Sequence, residues 1–243
     1  MANNEKPLVI ITGASSGIGM ATAKLFSDNG YPLLLLARRK GHMEELNLPN
    51  TICAEVDVTD ADSLVKAIAK AEEQYGPADL LVNNAGVMLL GEVHKQDPAE
   101  WQKMFDVNVM GLLNGVKAVI GGMVQRNTGT IVNISSIAGK KSFPNHAAYC
   151  GTKFAVHGMT ECIREEVADK NVRLTTVAPG AVETELLGHT TDKGIVEGYE
   201  DWKKQIGGAM HTDDVARAIW FAYSQPQNVC IREIAMAATG QSA

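Results

Sequence analysis

Ser136, Tyr149 and Lys153 are the residues of this chain whose types and spacing suit acid–base chemistry. In a helix over this stretch, a step of four places the phenol and the ammonium on one face, roughly 6 Å apart at their Cβ atoms. A positive charge that close lowers a phenol by about one to three units from its ordinary pKa near 10. Such a phenol exchanges a proton with an alcohol or carbonyl oxygen, and Ser136 can hold the same oxygen. Tyr-x-x-x-Lys alone is a weak signal, because chance places it on many helices where the lysine is simply solvated. The upstream loop Thr12-Gly13-Ala14-Ser15-Ser16-Gly17-Ile18-Gly19 changes its weight.

The elements around that loop are those a dinucleotide site requires. Pro7 to Thr12 is a short run rich in β-branched residues, suited to a strand buried on both faces of a parallel sheet. After the loop, Ile18, Ala21, Thr22, Leu25 and Phe26 recur at helical spacing as far as Gly30, a C-terminal cap. Gly13 permits a tight turn, Gly17 lets backbone approach a pyrophosphate, Gly19 lets the helix pack on the strand, and the helix N-terminus faces the diphosphate. The spacing is G-x-x-x-G-x-G, which an ordinary strand-to-helix turn also produces. A second strand, Pro32 to Ala37, ends in Arg38 and Arg39 where an NAD site offers an acid to the ribose 2′-hydroxyl. Two guanidiniums there suit a 2′-phosphate and favour NADP(H), a solvated basic turn being the alternative.

With these motifs in order, the chain resembles the short-chain dehydrogenase/reductase family, in its single-domain branch of about 250 residues, from residue 7 to about residue 236. The glycine loop resembles the family's cofactor turn, with Gly13, Ser15, Ser16, Gly17, Ile18 and Gly19 as contacts. Asp57 and Val58 match the adenine contact, and Asn83-Asn84-Ala85-Gly86 the turn that steadies the central strand. Asn108 matches a fourth catalytic position, and Ser136 rather than Ser135 the catalytic serine. Pro179, Gly180, Val182 and Thr184 resemble the clamp on the nicotinamide carboxamide. The resemblance implies hydride transfer between nicotinamide C4 and a carbonyl or secondary alcohol. Tyr149 is then the general acid/base and Lys153 lowers its pKa and binds the nicotinamide ribose. Ser136 steadies the substrate oxygen, and Asn108 holds a water linking Lys153 to solvent.

Composition agrees with one α/β domain over residues 1–243. The chain has 243 residues, 45% of them hydrophobic, enough for a full core. A net charge of −6 argues against a nucleic-acid footprint. Cys53, Cys150, Cys162 and Cys230 form no C-x-x-C pair, so neither a metal site nor a redox motif is expected, and reduced thiols suit a cytoplasmic protein. Cys150 adjoins Tyr149 but points about 100° away on a helix, which reads as packing. Met1 to Lys6 lack a signal-peptide core, and no uninterrupted apolar run reaches the length of about 18 residues that a membrane span needs.

Along the chain, Thr51 to Val56, Asp79 to Asn83, Gly129 to Ser135 and Val172 to Val177 read as further strands. Helices read from an Asp60 cap, from about Pro98 to Gln125, from about Ala147 to Asp169, and from Asp213 to Tyr223 with Thr212 as cap. This alternation predicts a Rossmann-type doubly wound parallel sheet in three layers, with ligands at the carboxyl ends of its strands. The glycine-broken segment 183–210 reads as a substrate lid with Leu186, Leu187, Ile195, Tyr199 and Trp202 beneath it. His146 reads as a surface turn or a residue at the pocket mouth, and His189 and His211 need no metal. The helical stretch around Val107 to Val124 is apolar on more than one face, which predicts a homodimer or homotetramer. The expected activity is NADPH-dependent reduction of a small carbonyl compound, with no nucleic-acid or membrane partner. The alternatives are a 3-oxoacyl carrier-protein reductase, a 3-hydroxy acid dehydrogenase, or a non-enzymatic NADPH-binding sensor.

Overall fold

The computed structural model describes residues 6–242. Its frame is a parallel sheet of β1 (Leu8–Thr12), β2 (Leu33–Ala37), β3 (Thr51–Glu55), β4 (Ala78–Asn83), β5 (Gly129–Ile134), β6 (Val172–Pro179) and β7 (Glu233–Met236). The spatial order is β3-β2-β1-β4-β5-β6-β7. The chain winds outward from β1 to β3, then returns to lay β4 beside β1, so the strand order reverses between β1 and β4. A crevice opens at the carboxyl ends at such a reversal.

Strand side chains alternate between two cores because successive residues point to opposite faces. Leu8 and Ile10 enter a core with Leu64, Leu112 and Val156, beneath α3 (Ala61–Tyr75), α5 (Gly111–Arg126) and α6 (Ala147–Glu166). Val9 and Ile11 enter the other with Phe26 and Ile219, beneath α1 (Gly17–Asp28) and α8 (Thr212–Tyr223). Every residue of β1 and β2 is buried, which is why these strands read as unbroken apolar runs rather than alternating ones.

Most expected elements form, with differences that have local causes. The expected helix from about Pro98 to Gln125 is α4 (Pro98–Phe105) and α5 joined by a π-helical turn, Asp106–Met110. Asp97 caps its start, accepting from the Ala99 amide at 2.9 Å, and Asn127, at φ 55°, ends it in the left-handed region. By length and composition this stretch is apolar enough to cross a membrane. Leu112, Val116, Val119 and Met123 are instead buried against the sheet, so it is a core helix. Asp60 caps α3 as expected, accepting from the Ser63 amide at 3.1 Å. The last of these helices begins one residue early, at Thr212, and the Asp214 carboxylate accepts from the His211 amide at 2.8 Å. Two short elements carry no periodicity to read, α2 (Lys40–Glu44) and β7.

Segment 183–210 is largely structured. A 3-10 helix, Glu185–His189, leads to α7 (Lys193–Gln205), which Asp192 caps through the Ile195 amide at 3.2 Å. Leu187 is buried and Leu186, Ile195 and Tyr199 pack on a cluster that contains Tyr149 and Val87 to Leu90. The apolar underside expected from the sequence therefore faces the end of the sheet where Tyr149 sits.

Candidate active site

The glycine turn is locked to the neighbouring strand by one hydroxyl and one amide. The Thr12 hydroxyl, at the end of β1, accepts from the Asn84 and Ala85 amides, both at 3.0 Å. Asn84 Nδ2 donates to the carbonyls of Thr12 at 3.0 Å and Gly13 at 3.2 Å. Gly13 has φ +64°, and an added Cβ would lie 2.8 Å from Ala85 Cα, so both conformation and space demand glycine. A Cβ on Gly19 would lie 2.4 Å from the Gly13 carbonyl oxygen, which fixes how closely α1 approaches β1. One strand over, Asn83 Nδ2 donates to Asn133 Oδ1 at 3.0 Å, and Asn133 Nδ2 to Thr160 Oγ1 at 2.9 Å. That buried chain of amides ties β4, β5 and α6 together and so sets the depth at which α6 presents Tyr149.

A cavity of about 890 Å³ opens at the carboxyl ends of the strands. Its wall contains Ser136, Tyr149 and Lys153 together with Gly13, Ser15, Ser16, Gly17, Ile18, Arg38, Arg39, Asp57, Val58, Asn84, Ala85, Gly86, Pro179, Gly180, Val182 and Thr184. Residues from seven separate stretches thus meet at one place. Two of the expected site residues, Gly19 and Asn108, stand behind the wall. Asn108 sits in the π-helical turn and is 2% exposed. Its Oδ1 accepts from the Val87 amide at 2.8 Å, and its Nδ2 donates to the Val87 carbonyl at 2.9 Å and to Thr152 Oγ1 at 3.2 Å. Both Nδ2 hydrogens and one Oδ1 lone pair are engaged in holding Val87, next to Gly86, and Thr152 of α6, which leaves one Oδ1 lone pair free of protein partners among the described residues. The π turn is what aims this side chain inward.

The adjacent serines differ in their partners. Ser135 Oγ donates to the Lys153 carbonyl at 3.2 Å, which staples β5 to α6. Ser136 is partly open, and its hydroxyl accepts from the Ala138 amide at 3.0 Å.

Burial, not the neighbouring ammonium, dominates the acid–base pair. Tyr149 is 5% exposed, and desolvation raises its phenol well above the ordinary value near 10, with the Ser136 hydroxyl pulling the other way. Lys153 is equally buried; its Nζ donates to the Ile134 carbonyl at 2.9 Å, and desolvation pushes its pKa down to about 8. The ammonium lies 5.8 Å from the Tyr149 ring centroid, over the ring. Where the four-residue step predicts a lowered phenol, burial instead raises it and favours the neutral form of Tyr149.

Of the two readings of His146, the structure has the residue at the cavity rather than on a surface turn. Its ring lies 6.3 Å from that of Tyr149 and 6.4 Å from that of Tyr199, and burial lowers its pKa, so it faces the cavity uncharged. Cys150, as expected, packs inward, and burial raises its thiol. Three wall residues had no readable signal. Phe143 flanks His146 at 5.6 Å between ring centroids. Gln241 Oε1 accepts from the Ala181 amide at 3.0 Å, bringing the C-terminal tail onto the Pro179–Gly180 turn. Glu185 reaches Arg39 across 146 residues of sequence.

The chain's own groups suit a dinucleotide. The glycine turn offers bare backbone at the reversal of strand order, and Ser15, Ser16 and Arg39 converge at the end of β2, Arg39 Nη2 lying 2.9 Å from Ser16 Oγ and 3.4 Å from Ser15 Oγ. Fold and site together define a Rossmann-type α/β protein built to carry out chemistry beside a nucleotide. A model of the short chain dehydrogenase family matches residues 7–194, and the chain belongs to that family of oxidoreductases. It is 38% identical to an uncharacterized oxidoreductase of Staphylococcus saprophyticus, over 100% of both chains. Among solved structures, a closed serine dehydrogenase complexed with NADP+ superposes with a TM-score of 0.90 at 31% identity, covering 97% of this chain and 96% of that one. An alcohol dehydrogenase of Thermococcus sibiricus complexed with 5-hydroxy-NADP superposes with a TM-score of 0.85 at 25% identity, covering 98% and 99%.

Proposed function

We propose that this protein is an NADPH-dependent reductase, reversible to alcohol oxidation, acting on an uncharged carbonyl compound of small or medium size. The observation that carries the reading is the buried Tyr149 phenol beside Ser136 in the crevice, with Lys153 over its ring. NADPH, when bound, supplies the hydride. Tyr149 donates its proton to the oxygen on which negative charge grows, and Ser136 donates a hydrogen bond to the same oxygen. Lys153 is buried over the face of the ring and replaces a solvent shell with a fixed positive charge. Arg38 and Arg39 at the end of β2, and the NADP compounds in the two structural relatives, support NADP(H) over NAD(H).

Among the described residues, Lys203 and Lys140 are committed to carboxylates and Lys141 lies 5.7 Å from the Phe143 ring centroid, which favours an uncharged substrate. Lys203, beside Tyr199 on the wall, is held by Glu183 at 3.0 Å and Glu200 at 2.9 Å. Lys140, half of the basic pair Lys140-Lys141, is paired with Glu233. Phe143, His146 and Tyr199 line the same part of the cavity with rings. A 3-hydroxy acid is the second reading, favoured by the likeness to a serine dehydrogenase. A carrier-protein substrate has less support, because it requires an acidic partner to find a cationic entrance. A sensor that only binds NADPH has no use for a buried proton donor.

The test is NADPH oxidation against a panel of aldehydes, aryl and alkyl ketones and 3-oxo acids, with serine and 3-hydroxy acids run in the reverse direction with NADP+. The expected result is turnover of uncharged ketones or aldehydes above that of the acids. Turnover of acids alone selects the second reading, and no turnover across the panel selects the sensor.

A further inference from the structure

Arg39, one of the two arginines assigned to a 2′-phosphate, already holds an anion that belongs to the chain. Its Nη2 donates to Glu185 Oε2 at 2.8 Å, alongside the contacts to Ser16 and Ser15. Glu185 lies on the cavity wall at the start of the 3-10 helix Glu185–His189, directly after Thr184, whose hydroxyl accepts from the Leu186 amide at 3.4 Å. A carboxylate and a phosphate ask for the same guanidinium donors. Arg38, the other cation at this corner, has no carboxylate partner among the described residues.

We propose that Glu185 is a determinant of cofactor choice: its carboxylate occupies the Arg39 guanidinium in competition with the 2′-phosphate, and so narrows the preference for NADPH over NADH. The proposal rests on the NADP(H) reading of Arg38 and Arg39. A 2′-phosphate must displace Glu185 from Arg39 or share the arginine with it at the cost of like-charge repulsion, whereas a ribose carrying only hydroxyls displaces nothing. The ion pair is about half exposed on both sides, 46% and 60%, so its strength is that of a surface pair and the expected effect is modest.

The experiment titrates NADPH and NADH into the full-length wild type, E185Q and the double variant R38A/R39A, reading the change in cofactor fluorescence. Glu185→Gln keeps the shape of the side chain and removes its charge. The expected result is NADPH binding tightened by about two- to fivefold with NADH unchanged, the ratio that loss of a surface ion pair implies. NADPH affinity that is unchanged or weaker in E185Q, or equal tightening of both cofactors, overturns the proposal. The arginine variant isolates the underlying reading. If R38A/R39A loses NADPH and NADH affinity equally, the 2′-phosphate assignment fails and the proposal with it. If it loses chiefly NADPH while E185Q shows no gain, the assignment stands and the role of Glu185 falls.

Discussion

Tyr149 and Lys153 show how depth in the fold shifts a titratable pair. Removing either group from water costs its charged form, so the phenol is raised and the ammonium lowered, and the two stay neutral and charged respectively near pH 7. Tyr149→Phe keeps the ring and its packing but removes the proton. Turnover of the best panel substrate is expected to fall by about 10²- to 10⁴-fold, while NADPH affinity by fluorescence stays close to wild type. Near-wild-type turnover would remove Tyr149 from the reaction. Lys153 carries a stability signature as well. Its folded pKa of about 8 lies below the ordinary 10.5, so between those values the unfolded chain binds a proton that the folded chain does not. Stability therefore rises with pH through that window, by on the order of 2–3 kcal/mol for this group. Urea unfolding of the wild type and Lys153→Met at pH 7.5 and 9.5 isolates the effect: the wild type is expected to gain on the variant as pH rises. A constant difference would mean that burial does not shift this lysine.

The elements that meet at the crevice are aligned by close backbone contact and by hydrogen bonds that reach across the sheet. Helix α1 is pressed on the end of β1 because Gly19 has no side chain, and the Asn84 amide fills the gap between the Thr12 and Gly13 carbonyls. Gly19→Ala places a methyl 2.4 Å from one backbone oxygen and 2.6 Å from Asn84 Nδ2. Neither neighbour is the free end of a flexible side chain, so the helix must shift. The expected cost is about 1–3 kcal/mol in urea unfolding, together with a clear loss of dinucleotide affinity. Unchanged stability and affinity would show that the turn tolerates a wider approach. The π-helical turn between α4 and α5 has a comparable role, since it points Asn108 at Val87 and holds the loop that follows β4.

Assembly is the property that this single chain leaves to its surface. The stretch from α4 to α5 buries one face on the sheet, and Ile120 and Val124 on another face pack partly within the same core. Phe105, Met110 and Phe154 remain 40%, 52% and 47% exposed. Phe105 lies over Gly151, one turn before Phe154, so these rings and the methionine lie along the α4–α5 and α6 side of the molecule. We propose that a second copy of the chain covers this face in a symmetric oligomer. Light scattering at micromolar concentration is expected to give a multiple of the 26.0 kDa chain mass, and Phe154→Asp with Met110→Asp to shift it toward one chain. A wild-type mass of one chain would leave this face open to solvent.

The order of strands and helices was readable along the chain because each inner strand is buried on both faces and each large helix on one, so composition and period report them directly. The glycine turn, the Asn83 to Gly86 turn and the Ser136, Tyr149, Lys153 set were readable for a related reason: backbone approach and proton transfer admit few residue types. Short elements were not. Helix α2 spans five residues and β7 four, too few for a period to emerge, and β7 is held by pairing with β6 rather than by its own pattern. Contacts across long sequence separations were hidden altogether. Arg39 and Glu185 are 146 residues apart, and no local pattern says that a carboxylate of segment 183–210 will rest on an arginine at the end of β2. The same holds for the sign of the shift at Tyr149: spacing along a helix supplies the neighbouring charge, but the desolvation that outweighs it depends on what the rest of the chain packs over the ring.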